Sequence, residues 1–292
     1  MGDAASTGRP PTSLRVVSAG PQTTVQDCGR PGYAHLGVPR SGALDEPALR
    51  LANRLVGNPE DAAGLECLLG GVVLEAEAST GVAVTGAFAP VRVEGRLLPW
   101  GVAVGVPRGG RVEIGAPTQG LRVYVAVDGG IDVPPVLGSR STDVLSGTGP
   151  APLADGDRLP VGAGRGAPSD AEAAPVPVRR ELRLRLGPRD DWFTSASLAG
   201  LEQATYTVSG DSNRVGLRLD GAGLERARDG ELPSEGLVLG SVQVPPSGQL
   251  VVFLADHPTT GGYPVVGVVE PEDLAACAQL RPGDAVRLRL LR

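Results

Sequence analysis

The run Asp256-His257-Pro258-Thr259-Thr260-Gly261-Gly262-Tyr263-Pro264 places a carboxylate, an imidazole and three hydroxyls in one short stretch. Carboxylates and imidazoles move protons, and hydroxyls can hold an oxygen on which charge develops. Asp256, His257 and Tyr263 are therefore the candidate proton-transfer residues. Thr259, Thr260, Gly261 and Gly262 are candidates to hold a small polar substrate, because glycine lets a ligand approach the backbone closely. The same residues also suit a tight turn capped by its own threonines.

Two further polar segments have compatible chemistry. The stretch from Thr23 to Asp45 contains Arg30 and Arg40, either of which can clamp a carboxylate or phosphate, and Ser41 just before a helix start. Ser209 to Leu217 contains Asn213, a donor and an acceptor, and Arg214, a planar fork. Read more simply, these are an Asx turn, a helix cap at Asp45 and solvated arginines. Glu235 in Pro233-Ser234-Glu235-Gly236 offers a second carboxylate.

The elements that must position these groups are mostly strands. The apolar run Leu250 to Ala255 delivers Asp256 from a strand end. Further strands are expected at 72–76, 82–85, 91–94, 111–114, 121–127, 181–186, 204–208, 217–219 and 285–290. One helix is expected after Asp45, with Pro47 in its first turn and Leu44, Ala48, Leu51, Ala52 and Leu55 at helical spacing. A second is expected to open at Asn58-Pro59 and to end at Gly70-Gly71. The segment 1–13 reads as a floppy leader, and 162–178, rich in Gly, Ala and Pro, reads as a linker. Two domains, 14–161 and 179–292, follow.

A repeat relates these domains. Leu121-Arg122-Val123-Tyr124-Val125-Ala126 aligns on Leu250-Val251-Val252-Phe253-Leu254-Ala255, and Pro135-Val136-Leu137-Gly138 on Pro264-Val265-Val266-Gly267. Weaker matches flank both, in the same order, which indicates duplication. Where the second copy has Asp256-His257-Pro258-Thr259-Thr260, the first has Val127-Asp128-Gly129-Gly130-Ile131. Specialised chemistry is expected in the loop that diverges.

Composition narrows the partners. The 292 residues carry a net charge of −6 and only 3% aromatics, and no basic stripe runs among aromatic residues, so nucleic acid is not an expected partner. No apolar run reaches membrane-spanning length, and the cytoplasm is the expected location. Every basic side chain other than the two histidines is arginine. Without lysine there is no Schiff base, no phosphate-loop lysine and no biotinyl-lysine on this chain. Cys28, Cys67 and Cys277 have neither zinc spacing nor a disulfide pattern, and no metal site is expected. No serine-hydrolase elbow, dinucleotide fingerprint or Walker loop is present.

The segments TTVQDCGRPGYAHLGVPRSGALD, LANRLVGNPEDAAGLE, VAVDGGIDVPPVLGSRSTD, SGDSNRVGLRLDG and DHPTTGGYPVVGVV together resemble the biotin-dependent carboxyltransferase family, which includes allophanate hydrolase subunit 2, the KipA proteins and the C subunit of 5-oxoprolinase (PxpC). The resemblance runs from about Val16 to Val286. It implies a mainly β fold of two related cyclophilin-like β-barrel domains with a few short helices. It implies a KipI-like partner (PxpB), commonly with a LamB/YcsF-type subunit (PxpA), in an ATP-dependent, Mg-requiring 5-oxoprolinase that opens a lactam to glutamate. Two other functions are compatible with it: carboxyl transfer to urea or a related amide from carboxybiotin on another chain, and non-enzymatic regulation of the KipA type by binding a KipI-like protein. Four positions depart from the family's usual residues: Cys28, His257, Pro258 and Val265.

Overall fold

The computed structural model describes residues 12–164, 168–230 and 232–291. The chain forms two units. Among the described residues, the first comprises 12–29, 46–142 and 148–176, and the second comprises 30–45, 143–147 and 177–291. Two loops, 30–45 and 143–147, thus leave the first stretch of sequence to pack with the second unit, an exchange that boundaries drawn along the sequence do not anticipate.

The first unit packs two antiparallel sheets around one core. One sheet has the strand order Gln22–Gln26, Gly64–Leu68, Gln119–Val127, Thr80–Phe88, Ala103–Val106. The other runs Arg158–Val161, Thr12–Ala19, Val72–Ala76, Arg111–Ile114, Val91–Val93, Arg96–Leu98. Alternate residues of both, among them Val25, Leu65, Val123 and Val125 facing Leu14, Val16, Leu74 and Val112, fill the space between them. Helix Glu46–Leu55 covers the outer face of the first sheet, with Ala52 and Leu55 against Ala83 and Ala126.

The second helix expected at Asn58-Pro59 does not form. Residues 60–61 make a turn, and Gly64–Leu68 is a strand. Asn58 is committed elsewhere: its Nδ2 donates to the Val127 carbonyl and to Asn53 Oδ1, and its Oδ1 accepts the Gly129 N–H. A side chain spent on the neighbouring strand end cannot cap a new helix. Of the leader, residues 1–11 lie outside the described residues, while Thr12 and Ser13 already belong to a strand. In the linker, 165–167 lie outside the described residues. The following stretch packs within the first unit, where Ser169 N–H donates to Leu55 O and Ala173 N–H to Gly101 O.

The second unit closes into a seven-stranded barrel in the order Glu181–Leu186, Val265–Val269, Ser241–Gln243, Leu250–Phe253, Gly216–Asp220, Tyr206–Val208, Ala285–Leu291. Only the closing pair, Glu181–Leu186 with Ala285–Leu291, is parallel. Closure leaves no open sheet edge. Leu182, Leu184, Leu217, Leu219, Val242, Leu250, Val252 and Val266 fill the interior with the small helices Ser195–Leu201 and Leu274–Gln279 against them. The mainly β fold with a barrel and few helices is as expected. The repeated strands Gln119–Val127 and Leu250–Phe253 are each flanked on both sides. The next block differs: Val265–Val269 is a barrel strand, whereas Val136 and Ser139 bracket a tight turn. No helix among the described residues is long and apolar enough to cross a membrane.

Asp273, 1% exposed, ties the turn that follows strand Val265–Val269 to strand Glu181–Leu186. It accepts from Arg183 N–H, Arg183 Nε and Arg183 Nη2. Burial works against its ionisation, but the hydrogen bonds and charge of Arg183 outweigh it and hold the carboxyl below its ordinary pKa. A depressed carboxyl pKa stabilises the fold fully above the unfolded value of about 3.9 and loses that contribution as pH falls through the folded value. Asp273→Asn is expected to cost about 2 kcal/mol at pH 7 in chemical denaturation. The gap from the parent protein should narrow below about pH 4. A gap independent of pH would contradict this account.

Candidate functional site

Three loops of the second unit meet at Asp256. Its side chain is fully buried, and both carboxylate oxygens are taken. Arg214 binds it side-on, with Nε 2.8 Å from Oδ2 and Nη2 3.0 Å from Oδ1. Ser41 Oγ donates to Oδ1 at 2.8 Å, and the Val144 N–H donates to Oδ2 at 3.0 Å. Arg214 Nη2 also donates to the Gly42 carbonyl at 2.7 Å. Backbone bonds run alongside, from Ser41 N–H to Ala255 O and from Asp256 N–H to Arg214 O. A bidentate guanidinium–carboxylate pair out of water is favourable only when its remaining hydrogen-bonding positions are filled, and here the loops 40–42 and 143–147 help to fill them.

Each loop is shaped to arrive at that point. Ser41 has φ 54°, a left-handed conformation uncommon for serine, and Gly42 follows with φ 101°. The strain is retained where Ser41 Oγ meets Asp256. Asp143, itself buried, accepts from the N–H groups of Leu145 and Ser146 and from Ser146 Oγ, which folds 143–147 into a compact turn. Asn213 Oδ1 accepts from Val215 and Gly216 N–H, turning the chain into strand Gly216–Asp220. Arg30 is buried, and its N–H donates to the carbonyl of the exposed Arg40. Asp45 Oδ2 accepts from Gln279 Nε2 at 2.7 Å.

Beyond Asp256 the loop changes character. His257 Nδ1 lies 2.7 Å from the Pro258 carbonyl. A carbonyl oxygen only accepts, so Nδ1 carries the proton and the neutral ring presents Nε2 as an acceptor. Burial pushes the imidazole pKa down, against the opposing effects of the Pro258 bond and the charges of Asp256 and Asp143. The ring packs near Phe253, centroids 6.0 Å apart. Thr260–Gly261 then pairs with Glu235–Gly236 as a small ribbon. Glu235 is held by Arg189, with Nε 3.0 Å away and a second contact through Nη2, and that guanidinium keeps its carboxyl below the ordinary range. Among the described residues nothing hydrogen-bonds to the side-chain hydroxyls of Thr259, Thr260 or Tyr263, and Tyr263 is 46% exposed.

The structure thus joins Ser41, Arg214 and Asp256 directly, and carries His257, Thr259, Thr260, Gly261, Gly262 and Tyr263 onward in one loop. Asn213 stands beside them as a turn former. Asp143 and Val144 join the site without having stood out in the sequence. The available signal is Asp143 with Ser146 three positions on, a local capping pattern. No disulfide joins the cysteines. Cys28 is pushed up to about 11, first by burial and then by Glu46, so it is a poor thiolate nucleophile.

Ser41 gives a direct test of this geometry. Ser41→Ala loses a hydrogen bond to a carboxylate and keeps the left-handed strain, so it is expected to destabilise the protein by about 2 kcal/mol. Ser41→Gly loses the same bond but relaxes the backbone, and its cost should be smaller by about 1 kcal/mol. Equal stability of both variants and the parent in urea titrations would show that the Oγ–Asp256 bond is not formed.

Comparison with known proteins agrees on one family. The family model "Carboxyltransferase domain, subdomain A and B" matches residues 36–290. The C subunit of 5-oxoprolinase from Escherichia coli (strain K12) is 40% identical over 277 residues, covering 94% of this chain and 89% of that protein. Urea amidolyase of Saccharomyces cerevisiae is 31% identical over 306 residues, covering 95% of this chain and 16% of the larger enzyme. Among solved structures, TTHA0988 superposes with a TM-score of 0.86 at 38% identity, over 96% of this chain and 55% of that one. The K. lactis urea amidolyase gives 0.89 at 30% identity, over 98% of this chain and 19% of that one. The chain is a member of the carboxyltransferase domain family, subdomains A and B.

Proposed function

We propose that the chain is the C subunit of an ATP-dependent 5-oxoprolinase that opens 5-oxoproline to glutamate with partner subunits. The observation that carries this is the 40% identity to the C subunit of a 5-oxoprolinase, which extends over nearly the whole of both chains. The partners are a KipI-like (PxpB) subunit and a LamB/YcsF-type (PxpA) subunit, the location is the cytoplasm, and the complex uses ATP with Mg. Among the described residues no group of three or more His, Cys, Asp or Glu side chains is arranged to hold a metal ion.

An amide is a poor electrophile, and ATP supplies the activation when the complex binds it. This chain's residues then have separable roles. His257 Nε2, an acceptor in the neutral ring, takes a proton from the attacking water and returns it to the departing lactam nitrogen. The hydroxyls of Thr259 and Thr260 and the backbone at Gly261-Gly262 hold the carbonyl oxygen as charge builds on it. Tyr263, exposed, is a second proton carrier. The exposed Arg40 binds the substrate carboxylate or a phosphoryl group, and the buried Arg30 holds that loop through its backbone N–H to the Arg40 carbonyl. Asp256 orients rather than reacts, because four donors already occupy its two oxygens. Ser41, Asn213 and Arg214 hold the loop that presents His257.

Carboxyl transfer to urea or a related amide is the second reading, favoured by the TM-score of 0.89 to a urea amidolyase. The two separate in a reconstituted complex. The first requires ATP hydrolysis dependent on 5-oxoproline; the second requires carboxyl transfer from a carboxylated carrier.

His257→Gln keeps the side-chain volume near that of the parent and removes the base. It should lower kcat for 5-oxoproline by about a hundredfold or more. In the parent, the acid limb of the rate profile should lie below the ordinary His value of about 6.5, because the burial-lowered pKa keeps the base form to lower pH, and this limb should vanish in the variant. Full turnover by His257→Gln, or no 5-oxoproline-dependent ATP hydrolysis by the parent complex, would overturn the proposal.

A further inference from the structure

Under the His257 loop, on the outer face of the barrel, lies a small apolar cluster of Leu237, Val251, Phe253 and Val265. One polar side chain stands in its midst. Gln243 ends strand Ser241–Gln243, opposite Val251 on one side and Val265 on the other, and is 6% exposed. An amide among aliphatic side chains is costly unless it is hydrogen-bonded. Gln243 Nε2 donates to the Tyr263 carbonyl at 3.1 Å, and the adjacent Val244 N–H donates to the Pro264 carbonyl.

Two independent features converge on this amide. The strand register shifts between Val242 and Gln243, an irregularity of the kind that re-aims a side chain. Gly261 leaves room for it: a Cβ there would stand 2.6 Å from Gln243 Nε2 and 2.8 Å from Leu237 Cδ1. Gly261 has no left-handed φ that would require glycine, and a Cβ there would have to displace the flexible end of Gln243 or of Leu237. The neighbouring Gly262 has no such neighbour, since its Cβ would meet nothing closer than 3.5 Å.

We propose that Gln243 is a positioning residue for the reaction. Its amide fixes the height and direction of the segment Thr259 to Tyr263 above the barrel, and with it the hydroxyls that meet the substrate. This rests on the His257 loop being the reacting site, and the test separates the two. Hydrogen exchange of the intact protein reads the loop without any substrate. Gln243→Leu should speed exchange of the amides from Gly261 to Tyr263 by about tenfold and leave those of Val251 and Val252 unchanged. Gly261→Ala should reproduce it, and Gly262→Ala should not. In the reconstituted complex Gln243→Leu should lower kcat by about a hundredfold, with a melting temperature close to the parent's.

Unchanged loop exchange in Gln243→Leu would overturn the proposal, whatever the activity. Equal acceleration in strand Leu250–Phe253 would also overturn it, because the amide would then be holding the barrel rather than the loop. Faster loop exchange in the variant, beside a parent complex that never turns over 5-oxoproline, would uphold the positioning role and count against the substrate assignment alone.

Discussion

The second unit depends on one buried ion pair. Arg214 and Asp256 are 2% and 0% exposed. Taking two charges out of water costs several kcal/mol for each, and their attraction offsets this only where the geometry is bidentate and the other hydrogen-bonding positions are filled. Here Ser41, Gly42 and Val144 fill them. Moving either loop away would leave a carboxylate or guanidinium short of a partner in a dry site. Exposed pairs such as Arg228 with Asp191 carry no such weight, at about 0–1 kcal/mol. The first unit uses the same device without a cation. Asp27 accepts from Ser139 Oγ, Ser141 Oγ and the N–H groups of Gly29 and Arg140, tying two loops to a strand end.

In the proposed function, a scaffold clamped in this way separates holding from reacting. The clamp spends the ionic groups of Asp256 and Arg214 on structure, and leaves the next residue, His257, with a fixed tautomer and a lowered pKa. A neutral imidazole is suited to proton transfer near neutral pH, whereas a carboxylate with four donors is not. The ribbon after it, braced by Arg189 on Glu235 and by Gln243 on Tyr263, presents hydroxyls that no described residue engages. Rigid support beneath and unspent polar groups above are what a site for a small amide needs.

Much of this is legible in the sequence, for reasons that differ by element. Strands Val72–Ala76, Arg111–Ile114 and Glu181–Leu186 can be read to the residue, because their alternation and bounding glycines or charges are local signals. The helix expected at Asn58-Pro59 fails because Asn58 serves a strand end 69 residues away, which no local pattern encodes. Strand Gln22–Gln26 escapes a reading by periodicity because Thr23, Thr24 and Gln26 are polar yet buried. For the site, residue types are legible but roles are not. Asp256 reads as an acid in sequence. Only the arrival of Ser41, Val144 and Arg214 from distant segments shows that its oxygens are occupied. Val144 contributes through its backbone, so its side chain gives no hint.

The account is tested most directly by a double-mutant cycle on the clamp. Arg214→Ala and Asp256→Ala should each cost about 3–5 kcal/mol in urea unfolding, because each leaves an uncompensated buried charge. The double variant should cost less than their sum by about 2 kcal/mol or more, since the second removal relieves the group stranded by the first. Losses that add to within about 0.5 kcal/mol would show that the two side chains act independently, and the clamp would not exist.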